Sequence, residues 1–481
     1  MKTSRDLFDS FECVAATRRH LVKRCGGGAH YHGSEVIRQV LSAAALLEAA
    51  GADRGDLVLL QGLSGLPLLV GLLAVWARDG VALPVEASAA PAEIESVRTQ
   101  FGAGFALAAG AGEALHARRL PRRGEGVALP PGAAVIKLTS GSTGKARGIA
   151  VRASHLAADG RQILQGMGIG PEDVNIAVIP LSHSYGLGNL VMPLVLQGSP
   201  LLLVAAPLPE LLREALSQEA PTVFPGVPIL FDNLANLPGT GFLVKGLRLC
   251  ISAGAPLRRG VAAAFRARYG VPVRAFYGAS ECGGITFDAS PGGDAAEELE
   301  GCVGSALPGV QVRLEGEEGR VTVRSDAVAS GYVPRAAAGE EAFAGNLFRT
   351  GDTARLDSGG RLTLTGRAGS LVNVAGRKVN PREVESALMA IPGVGDAAVV
   401  GVPDAARGES LVACLVAGPG VTRKQLMDRL RLDLADYKLP RKIVFVETIP
   451  RNDRGKVARE TILRMVNSSR ERNLRPQVPE G

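Results

Sequence analysis

The sequence predicts an α/β protein with a large N-terminal domain and a small α+β C-terminal domain. In the first part of the chain, apolar strand-like runs at 56–60 and 81–85 flank a helical repeat from 65 to 78. This alternation is typical of a parallel sheet covered by helices. Further along, period-two alternation at 310–314 and 320–324 indicates an antiparallel hairpin. We therefore expect parallel-rich α/β layers that carry a small β-barrel-like subdomain.

The chain length and changes in the residue pattern predict the domain boundaries. A chain of 481 residues exceeds what one hydrophobic core ordinarily organises, so several domains are expected. A glycine-rich break near residue 366 separates the two patterns, and the polar last residues lack any periodicity, which predicts a disordered tail. The predicted division is an N-terminal domain at 1–366 with its antiparallel subdomain at about 301–365, a connection at 367–370, a C-terminal domain at 371–466 and a tail at 467–481.

The sequence also predicts a loop and two further helices in the N-terminal domain. Residues 1–35 are polar and contain three consecutive glycines, which predicts a loop. A helical repeat over 34–50 ends at Gly51. Ser154 is expected to cap a helix that continues to about Met167.

Four polar loops are expected at one edge of the sheet. The apolar strands predicted at 133–136, 175–180, 247–251 and 272–277 each lead into a polar segment. In open α/β sheets, ligands bind outside the carboxyl ends of the strands. The candidate ligand-binding loops are therefore 139–148, 181–188, 252–256 and 278–284.

The first of these loops has the composition of a phosphate cradle. Segment 139–148 is rich in glycine and hydroxyl side chains, and glycines let backbone N–H groups line a concave turn that binds anions. Lys145 and Arg147 add positive charge. The spacing differs from the common P-loop, G-x-x-x-x-G-K-[ST], so kinases and GTPases of that class are not indicated. The alternative is a flexible Gly/Ser surface turn.

Composition argues against several classes of protein. The formal net charge is +7 with scattered basic residues and only 4% aromatics, whereas nucleic-acid binders gather charge beside stacking rings, so no nucleic-acid partner is expected. The six cysteines lack C-x-x-C spacing, which argues against a zinc site or disulfide framework and favours a cytoplasmic protein. Polar residues, glycines and a proline interrupt the most hydrophobic segment, 57–77, so no membrane span is expected.

In their order along the chain, the loops resemble motifs of the adenylate-forming superfamily, which includes acyl-CoA synthetases, adenylation domains of peptide synthetases and luciferases. Residues 139–148 resemble T-S-G-[ST]-T-G-x-P-K-G, residues 277–281 resemble Y-G-x-T-E, and residues 349–352 are R-T-G-D. Residues 366–385 resemble the family's hinge-and-turn region. Residues 436–459 resemble its C-terminal signature, which ends in G-K-[VI]-x-R.

The resemblance covers about 130–465 and implies an AMP-forming acid–thiol ligase that uses Mg²⁺, ATP and CoA. Lys456 would bridge the carboxylate and the α-phosphate, Glu281 would hold Mg²⁺ with Thr143, and His183 would gate the carboxylate. The implied binding residues are, for phosphate, Thr139, Ser140, Gly141, Ser142, Thr143, Gly144 and Lys145; for adenine and ribose, Gly254, Ala255, Tyr277, Gly278, Ser280, Asp352 and Arg367; for the acyl group, His183, Tyr185, Phe224, Val227, Gly283 and Gly284; and for the thiol tunnel, Val374, Ala375 and Gly376.

The resemblance also implies a mobile C-terminal domain that rotates about a hinge at 367–370. Gly283 and Gly284 suggest room for a broad or long acyl group, so we expect a hydrophobic acid, either aromatic or medium- to long-chain. One alternative is a stand-alone enzyme that loads a carrier-protein phosphopantetheine. Another is a non-catalytic nucleotide-binding homologue. A homodimer is one option for the oligomeric state.

Five positions depart from the family pattern. Ser280 replaces the usual Thr and keeps the hydroxyl. Ala146 and Arg147 replace the usual Pro and Lys of the phosphate loop, and Arg147 keeps the charge with a different geometry. Ala275 stands where many members carry Asn or Gln, which removes an expected contact near the adenine. Gly369 stands where many members carry a hinge Asp or Lys, so a side-chain latch is missing there.

Overall fold

The chain divides into two compact units. A computed structural model describes residues 1–26, 28–110, 113–121, 126–140, 146–238, 244–293, 295–299, 301–316, 319–334, 340–367, 372–379, 381–418, 420–450 and 461–464. The larger unit comprises 1–87, 94–139 and 147–369, and the smaller unit comprises 88–93, 140–146 and 370–481. The predicted tail lies outside the described residues, and the predicted domain limits stay a prediction.

The first 367 residues supply most of the strands. In chain order these are β1 Val22–Arg24, β2 His30–Tyr31, β3 Leu57–Gln61, β4 Val81–Pro84, β5 Phe105–Ala109, β6 Leu115–Arg119, β7 Ala133–Ser140, β8 Ala146–Arg152, β9 Asn175–Ala177, β10 Leu201–Leu203, β11 Val223–Gly226, β12 Leu249–Ser252, β13 Val273–Ala279, β14 Gly283–Phe287, β15 Ser305–Ala306, β16 Gln311–Glu315, β17 Arg320–Arg324, β18 Tyr332–Val333, β19 Phe343–Ala344, β20 Leu347–Leu356 and β21 Leu362–Arg367.

Helices alternate with these strands. They are α1 Ser4–Ala15, α2 Gly33–Ala49, α3 Gly65–Ala77, α4 Pro91–Phe101, α5 Ala153–Met167, α6 Ser184–Gly186, a π-helical turn Leu187–Val191, α7 Met192–Gln197, α8 Pro209–Gln218, α9 Pro228–Ala235, α10 Arg259–Tyr269, α11 Ala295–Glu298 and a 3₁₀ turn Glu340–Ala342.

Two large sheets confirm the predicted parallel-rich α/β layers. One has the order β18-β8-β7-β4-β3-β5-β6, with β7, β4, β3 and β5 paired in parallel. The other has the order β15-β14-β13-β12-β11-β9-β10-β1-β2, in which the pairs from β13 to β1 are parallel. The subdomain expected at 301–365 is an antiparallel sheet, in which β20 pairs with β17, β19 and β21.

Helix α3 fixes the strand that leads to the predicted phosphate loop. Nearly every residue of α3 is buried, as expected for a helix that is apolar all round. Its Trp76, the only tryptophan of the sequence, donates a hydrogen bond from Nε1 to the Ala134 carbonyl of β7 at 3.0 Å. The indole is fully buried. Strand β7 is thereby held on a rigid helix before it reaches Thr139.

The smaller unit is the predicted α+β unit. Its sheet has the order β23-β22-β25-β24, and β26 pairs in parallel with β25. Its core is made by side chains such as Val384, Leu411 and Leu430. The elements are β22 Val372–Val374, β23 Arg377–Val379, α12 Pro381–Met389, β24 Val394–Asp404, β25 Gly408–Ala417, α13 Arg423–Asp433, a 3₁₀ turn Asp436–Lys438 and β26 Lys442–Phe445.

The predicted N-terminal loop was wrong. Residues 4–15 form α1, which begins with a capping box in which the Thr3 hydroxyl accepts from the Asp6 backbone N–H and the Asp6 carboxylate accepts from that of Thr3. Phe8 and Phe11 lie three residues apart on its fully buried face. Both signals are present in the sequence, and the surrounding polar residues obscured them.

Several predicted boundaries also need correction. Helix α5 begins at Ala153 and its N-cap is Arg152, so Ser154 lies in the first turn instead of capping it. Strand β9 ends at Ala177, before the predicted 180. Segment 181–188 is not a loop throughout, because α6 and the π-helical turn begin within it. Segment 278–284 is mostly a β-hairpin with a short connection at 280–282.

His155, in the first turn of α5, should make the larger unit sensitive to acid. Burial, with smaller contributions from Arg152 and Lys137, lowers the pKa of His155 from 6.5 to about 4. The unfolded chain binds this proton near pH 6.5 while the folded chain does not, so stability falls as the pH drops from about 6.5 to about 4. The His155→Asn variant should lose less stability over this window, as measured from urea midpoints. The full pKa shift corresponds to about 3 kcal/mol, and because His155 is only half-buried we expect a screened effect of about 1–2 kcal/mol.

The exposed His116 on β6 provides the matched control. The His116→Asn variant should follow the wild-type pH dependence. An unchanged acid sensitivity of His155→Asn would contradict this account.

Candidate active site

The Y-G-A-S-E segment forms one side of a tight hairpin. Tyr277 and Gly278 lie near the end of β13, which pairs antiparallel with β14, and the register shifts between these two residues. A Cβ on Gly278 would lie 2.7 Å from the Gly283 carbonyl oxygen, so this close approach requires glycine. The hairpin connection then presents Ser280 and Glu281, both half-buried.

A buried hydrogen bond joins this hairpin strand to the antiparallel subdomain. Tyr277 Oη donates to Asp352 Oδ2 at 2.7 Å, and each residue is only 8% exposed. The Asp352 N–H donates to the Thr350 hydroxyl at 3.1 Å. Burial, reinforced by the Asp352 charge, raises the pKa of Tyr277 well above its usual value, so the phenol stays protonated and remains a donor.

Asp352 also lies opposite Arg367. The two residues are register partners in the antiparallel pair of β20 and β21, and cross-strand partners are neighbours. The structure therefore brings together Tyr277, Asp352 and Arg367, three residues that the sequence predicts to bind adenine and ribose. The side chain of Arg367 lies outside the described part of the chain.

The Glu281 carboxylate contacts a tyrosine that the sequence did not single out. Tyr332 Oη donates to Glu281 Oε1 at 3.0 Å. The Arg147 guanidinium carbon lies 4.5 Å from the centroid of the Tyr332 ring, within cation–π range. Burial and the nearby Glu281 charge raise the pKa of Tyr332. These contacts connect Glu281 to β8, the strand that follows the phosphate loop.

The loop at 181–188 approaches the same hairpin. Ser184 Oγ donates to Ser280 Oγ at 2.8 Å. His183 is half-buried and caps the short helix α6, where its Nδ1 accepts the Tyr185 N–H at 3.4 Å. The Tyr185 hydroxyl donates to the Ile251 carbonyl at 3.1 Å. His183 therefore begins the helix that carries Ser184, and Tyr185 anchors that helix to β12.

Gly283 and Gly284 do not open space for an acyl group, contrary to the expectation from the sequence. A Cβ on Gly283 would lie 2.3 Å from Asp159 Oδ1, and one on Gly284 would lie 2.7 Å from the Leu307 side chain. These side chains already fill the space next to the two glycines. The Gly284 N–H donates to Asp159 Oδ1 at 2.9 Å, so the glycines admit a structural contact.

Asp159 and Lys137 are buried charges beneath the hairpin. Each is 4% exposed. Burial raises the pKa of Asp159 and lowers that of Lys137, while the attraction between the two opposes both shifts. Lys137 lies on β7 just before Thr139, which places a polar pair between the phosphate-loop strand and β14.

The other predicted acyl and adenine residues follow two neighbouring strands. Phe224 on β11 is fully buried against the Phe231 ring, with a centroid distance of 4.9 Å, and Val227 is half-buried at the start of α9. Gly254 and Ala255 come directly after β12, where Gly254 is exposed and has a φ of 82°. Phe224 is thus a core residue, whereas Val227, Gly254 and Ala255 keep exposed surface.

The predicted thiol-tunnel residues make a hairpin turn in the smaller unit. Val374 is buried at the end of β22, and β23 begins at Arg377. Ala375 and Gly376 both have positive φ, at 51° and 83°, the pattern of a two-residue type I′ turn. The Ala375 N–H donates to the Arg407 carbonyl at 2.8 Å, which pins the turn.

The remaining predicted residues can be placed only in part. Thr139 is half-buried, and its hydroxyl donates to the Arg147 carbonyl at 3.2 Å across β7 and β8. Lys456, Gly369 and the loop from Gly141 to Lys145 lie outside the described residues. So does the side chain of Ser140.

The described donor set fits magnesium bound with a nucleotide. Mg²⁺ binds through one or two carboxylates together with substrate phosphates and water. Glu281 supplies a half-buried carboxylate and Ser280 an adjacent hydroxyl. No group of three histidine, cysteine or acidic side chains suited to a metal occurs among the described residues.

The fold and the site together define an adenylate-forming enzyme. A family model described as AMP-binding enzyme matches residues 127–333, and a second, described as AMP-binding enzyme C-terminal domain, matches residues 383–456. The chain belongs to the AMP-binding enzyme family and is an AMP-forming acid–thiol ligase. Within the described residues, no helix is long and apolar enough to cross a membrane.

Named relatives include ligases with different acids. A sulfoacetate–CoA ligase of Cupriavidus necator is 30% identical over 69% of this chain and 67% of its own length. A feruloyl-CoA synthase of Amycolatopsis is 28% identical over 91% of this chain and 94% of its own length. Among solved structures, the amide bond synthetase McbA of Marinactinospora thermotolerans has a TM-score of 0.82 at 26% identity, covering 95% of this chain and 98% of that one.

Removing the Tyr277 hydroxyl tests the buried contact with Asp352. The Tyr277→Phe variant loses a hydrogen bond to a charged acceptor, so it should lower the unfolding free energy by about 1.5–3 kcal/mol. If Asp352 faces the ribose, the same change should weaken ATP binding several-fold, because the carboxylate loses an orienting contact. Urea unfolding and isothermal titration with ATP measure the two effects.

Tyr269 offers a matched control in the same unit. Its hydroxyl donates to the uncharged Leu234 carbonyl at 2.8 Å. The Tyr269→Phe variant should cost only about 0.5–1.5 kcal/mol and leave ATP affinity unchanged. Equal effects of the two substitutions on ATP binding would rule out the special role of the Tyr277–Asp352 pair.

Proposed function

We propose that this protein activates a carboxylic acid with ATP and transfers the acyl group to the thiol of CoA. In the first step a carboxylate oxygen attacks the α-phosphorus, the bond to the β-phosphate oxygen breaks, and pyrophosphate leaves. In the second step the thiol sulfur attacks the acyl carbon, gives up its proton, and displaces AMP. The observation that carries this proposal is the buried Tyr277–Asp352 hydrogen bond beside Glu281, within the family's motif order.

The described residues suit the nucleotide half of this reaction. Asp352 is held by Tyr277 and Thr350, so its carboxylate is preorganised to accept hydrogen bonds from ribose hydroxyls. Glu281 and the loop at 139–148 would serve the phosphates. When bound, Mg²⁺ neutralises negative charge on the phosphates and the leaving pyrophosphate. Lys456 would bridge the two anionic reactants, a role that rests on the family resemblance.

Two different segments of the smaller unit would serve the two half-reactions. Lys456 acts in adenylation, and the turn at Val374, Ala375 and Gly376 acts in thiol transfer. The small side chains of this turn would allow a pantetheine arm to pass close to the backbone. Exchange of the two segments by rotation about 367–370 would keep the bulky groups of each step apart.

The acid class rests on the residues that line the proposed acyl pocket. Phe224 is fully buried in the core, so this expectation rests on Tyr185 and Val227, which are aromatic and apolar. Apolar walls favour a hydrophobic acid, either aromatic or medium- to long-chain. The feruloyl-CoA synthase relative acts on an aromatic acid by name, whereas the sulfoacetate–CoA ligase acts on a small polar one. The panel of test acids must therefore span both kinds.

An acid panel should identify the substrate and the acceptor together. Purified protein with Mg·ATP should exchange labelled pyrophosphate into ATP with at least one hydrophobic acid. Adding CoA should then release AMP and form the acyl-CoA. Faster turnover with a phosphopantetheine carrier would favour the carrier-loading alternative. Turnover with amines would favour amide formation, the activity named for the structural neighbour from Marinactinospora. If no acid supports exchange, the non-catalytic alternative is favoured.

Substitution of Lys456 separates the two half-reactions. The Lys456→Ala variant should lose adenylation by at least about a hundredfold, because the transition state loses a positioned charge. Transfer of the acyl group from supplied acyl-adenylate to CoA should remain largely intact. Single-turnover assays of each step provide the measurement.

A lysine on the surface of the same unit controls for general charge effects. Lys424 on α13 is exposed, and the Lys424→Ala variant should change neither step. Equal loss of both steps in Lys456→Ala would refute the division of labour between the two segments.

A further inference from the structure

A short segment at 329–333 connects the strand after the phosphate loop to Glu281. The Ala329 N–H donates to the Glu281 carbonyl at 2.8 Å. The Ser330 N–H donates to the Ala150 carbonyl at 3.0 Å, and the Ala150 N–H donates to the Gly331 carbonyl at 3.1 Å. Strand β18, which begins at Tyr332, then pairs antiparallel with β8. The segment is therefore fixed by backbone hydrogen bonds on both sides.

The Tyr332 ring is fixed as firmly as its backbone. The ring packs edge-to-face on Phe343, with centroids 5.1 Å apart, and Phe343 packs on Phe348 at 4.8 Å. On another side the Arg147 guanidinium lies 4.5 Å from the ring centroid. A phenol held by the Phe343 ring and the nearby Arg147 guanidinium has little rotational freedom, so its hydroxyl direction is set before any ligand binds.

We propose that Tyr332 is a positioning residue that orients Glu281 for a nucleotide-bound divalent cation, and that Arg147 holds Tyr332 in place. The phenol donates to Oε1. A neutral donor fixes the rotamer of the carboxylate without cancelling its charge, and it leaves the lone pairs of Oε2 to serve a cation. A lysine or arginine bonded in the same way would compete with that cation for the negative charge.

The proposal also gives the unusual Arg147 a role. Arg147 replaces the lysine of the family's phosphate-loop pattern. A planar guanidinium stacks on an aromatic face better than an ammonium does. We therefore assign Arg147 to support of the Tyr332 ring.

Binding of a nucleotide with and without magnesium tests the proposal. The proposal about Tyr332 rests on the proposed function only because it takes ATP as the ligand. The probe is α,β-methylene-ATP, titrated calorimetrically in Mg²⁺ or in EDTA. The ratio of the two dissociation constants gives the gain due to magnesium. The Tyr332→Phe variant keeps the ring but loses the hydroxyl, so this gain should shrink about tenfold while affinity in EDTA stays unchanged.

Tyr269→Phe is the matched control. Like Tyr332, Tyr269 contacts an arginine, Arg268, but its hydroxyl donates to the Leu234 carbonyl. Its magnesium gain should equal that of the wild type. Arg147→Met should reduce the magnesium gain, and Arg147→Lys should reduce it less. In a Tyr332→Phe background, each Arg147 substitution should reduce the gain by less than it does in the wild type, because the two residues act through one contact. A smaller gain in Tyr332→Phe with an unchanged control supports the proposal.

Two results would overturn it. The gain due to magnesium could be the same in Tyr332→Phe as in the wild type. Alternatively, affinity in EDTA could fall as much as affinity in Mg²⁺, which would indicate a structural role alone. Because the probe cannot donate its adenylyl group and no acid is present, failure of the acid panel would refute the proposed function without deciding this question.

Discussion

The buried hydrogen bond from Tyr277 to Asp352 is the contact on which the arrangement of the site depends. It joins the end of β13, in the nine-stranded sheet, to β20 of the antiparallel subdomain. A buried carboxylate is costly unless it is hydrogen-bonded, and the phenol meets that requirement because burial keeps it protonated. The pair therefore orients Asp352 and also holds the subdomain against the hairpin that carries Glu281.

A second constraint is the close approach of backbones in that hairpin. A Cβ on Gly278 would clash with the Gly283 carbonyl oxygen. A Cβ on Gly283 would clash with the Asp159 carboxylate. The Asp159 carboxylate accepts the Gly284 N–H, and Tyr332 bonds to Glu281 from the other side. The hairpin tip is thus held by contacts with two other parts of the chain, Asp159 of α5 and Tyr332 of β18. A carboxylate held in this way has little to reorganise when a cation binds.

Sequence patterns predicted the elements that depend on local periodicity. The β3–α3–β4 alternation and the β16–β17 hairpin are present as expected. The motif order placed Tyr277 and Asp352 in one site, and their side chains meet. Local signals were enough for the periodic elements, whereas the placement of Tyr277 and Asp352 in one site came from the resemblance of the motif order to that of the family.

The remaining features depend on pairings between distant residues. Tyr332 lies 51 positions from Glu281, and nothing in the residues around it reveals that contact. From the sequence, Gly283 and Gly284 are known only to lack side chains. The structure shows that Asp159 and Leu307 fill the space beside them. Helix α1 was not predicted although its capping box and buried phenylalanines are local, because many polar residues surround its few apolar positions.

The central claim is that the carboxylate of the acid attacks the α-phosphate of ATP. Isotope transfer tests it most directly. Once the panel has identified an acid, that acid is labelled with ¹⁸O in both carboxyl oxygens and turned over with ATP and CoA. Mass spectrometry should find one ¹⁸O in the AMP and none in the pyrophosphate. Label in inorganic phosphate, with ADP as the nucleotide product, would show activation through an acyl phosphate and contradict the account.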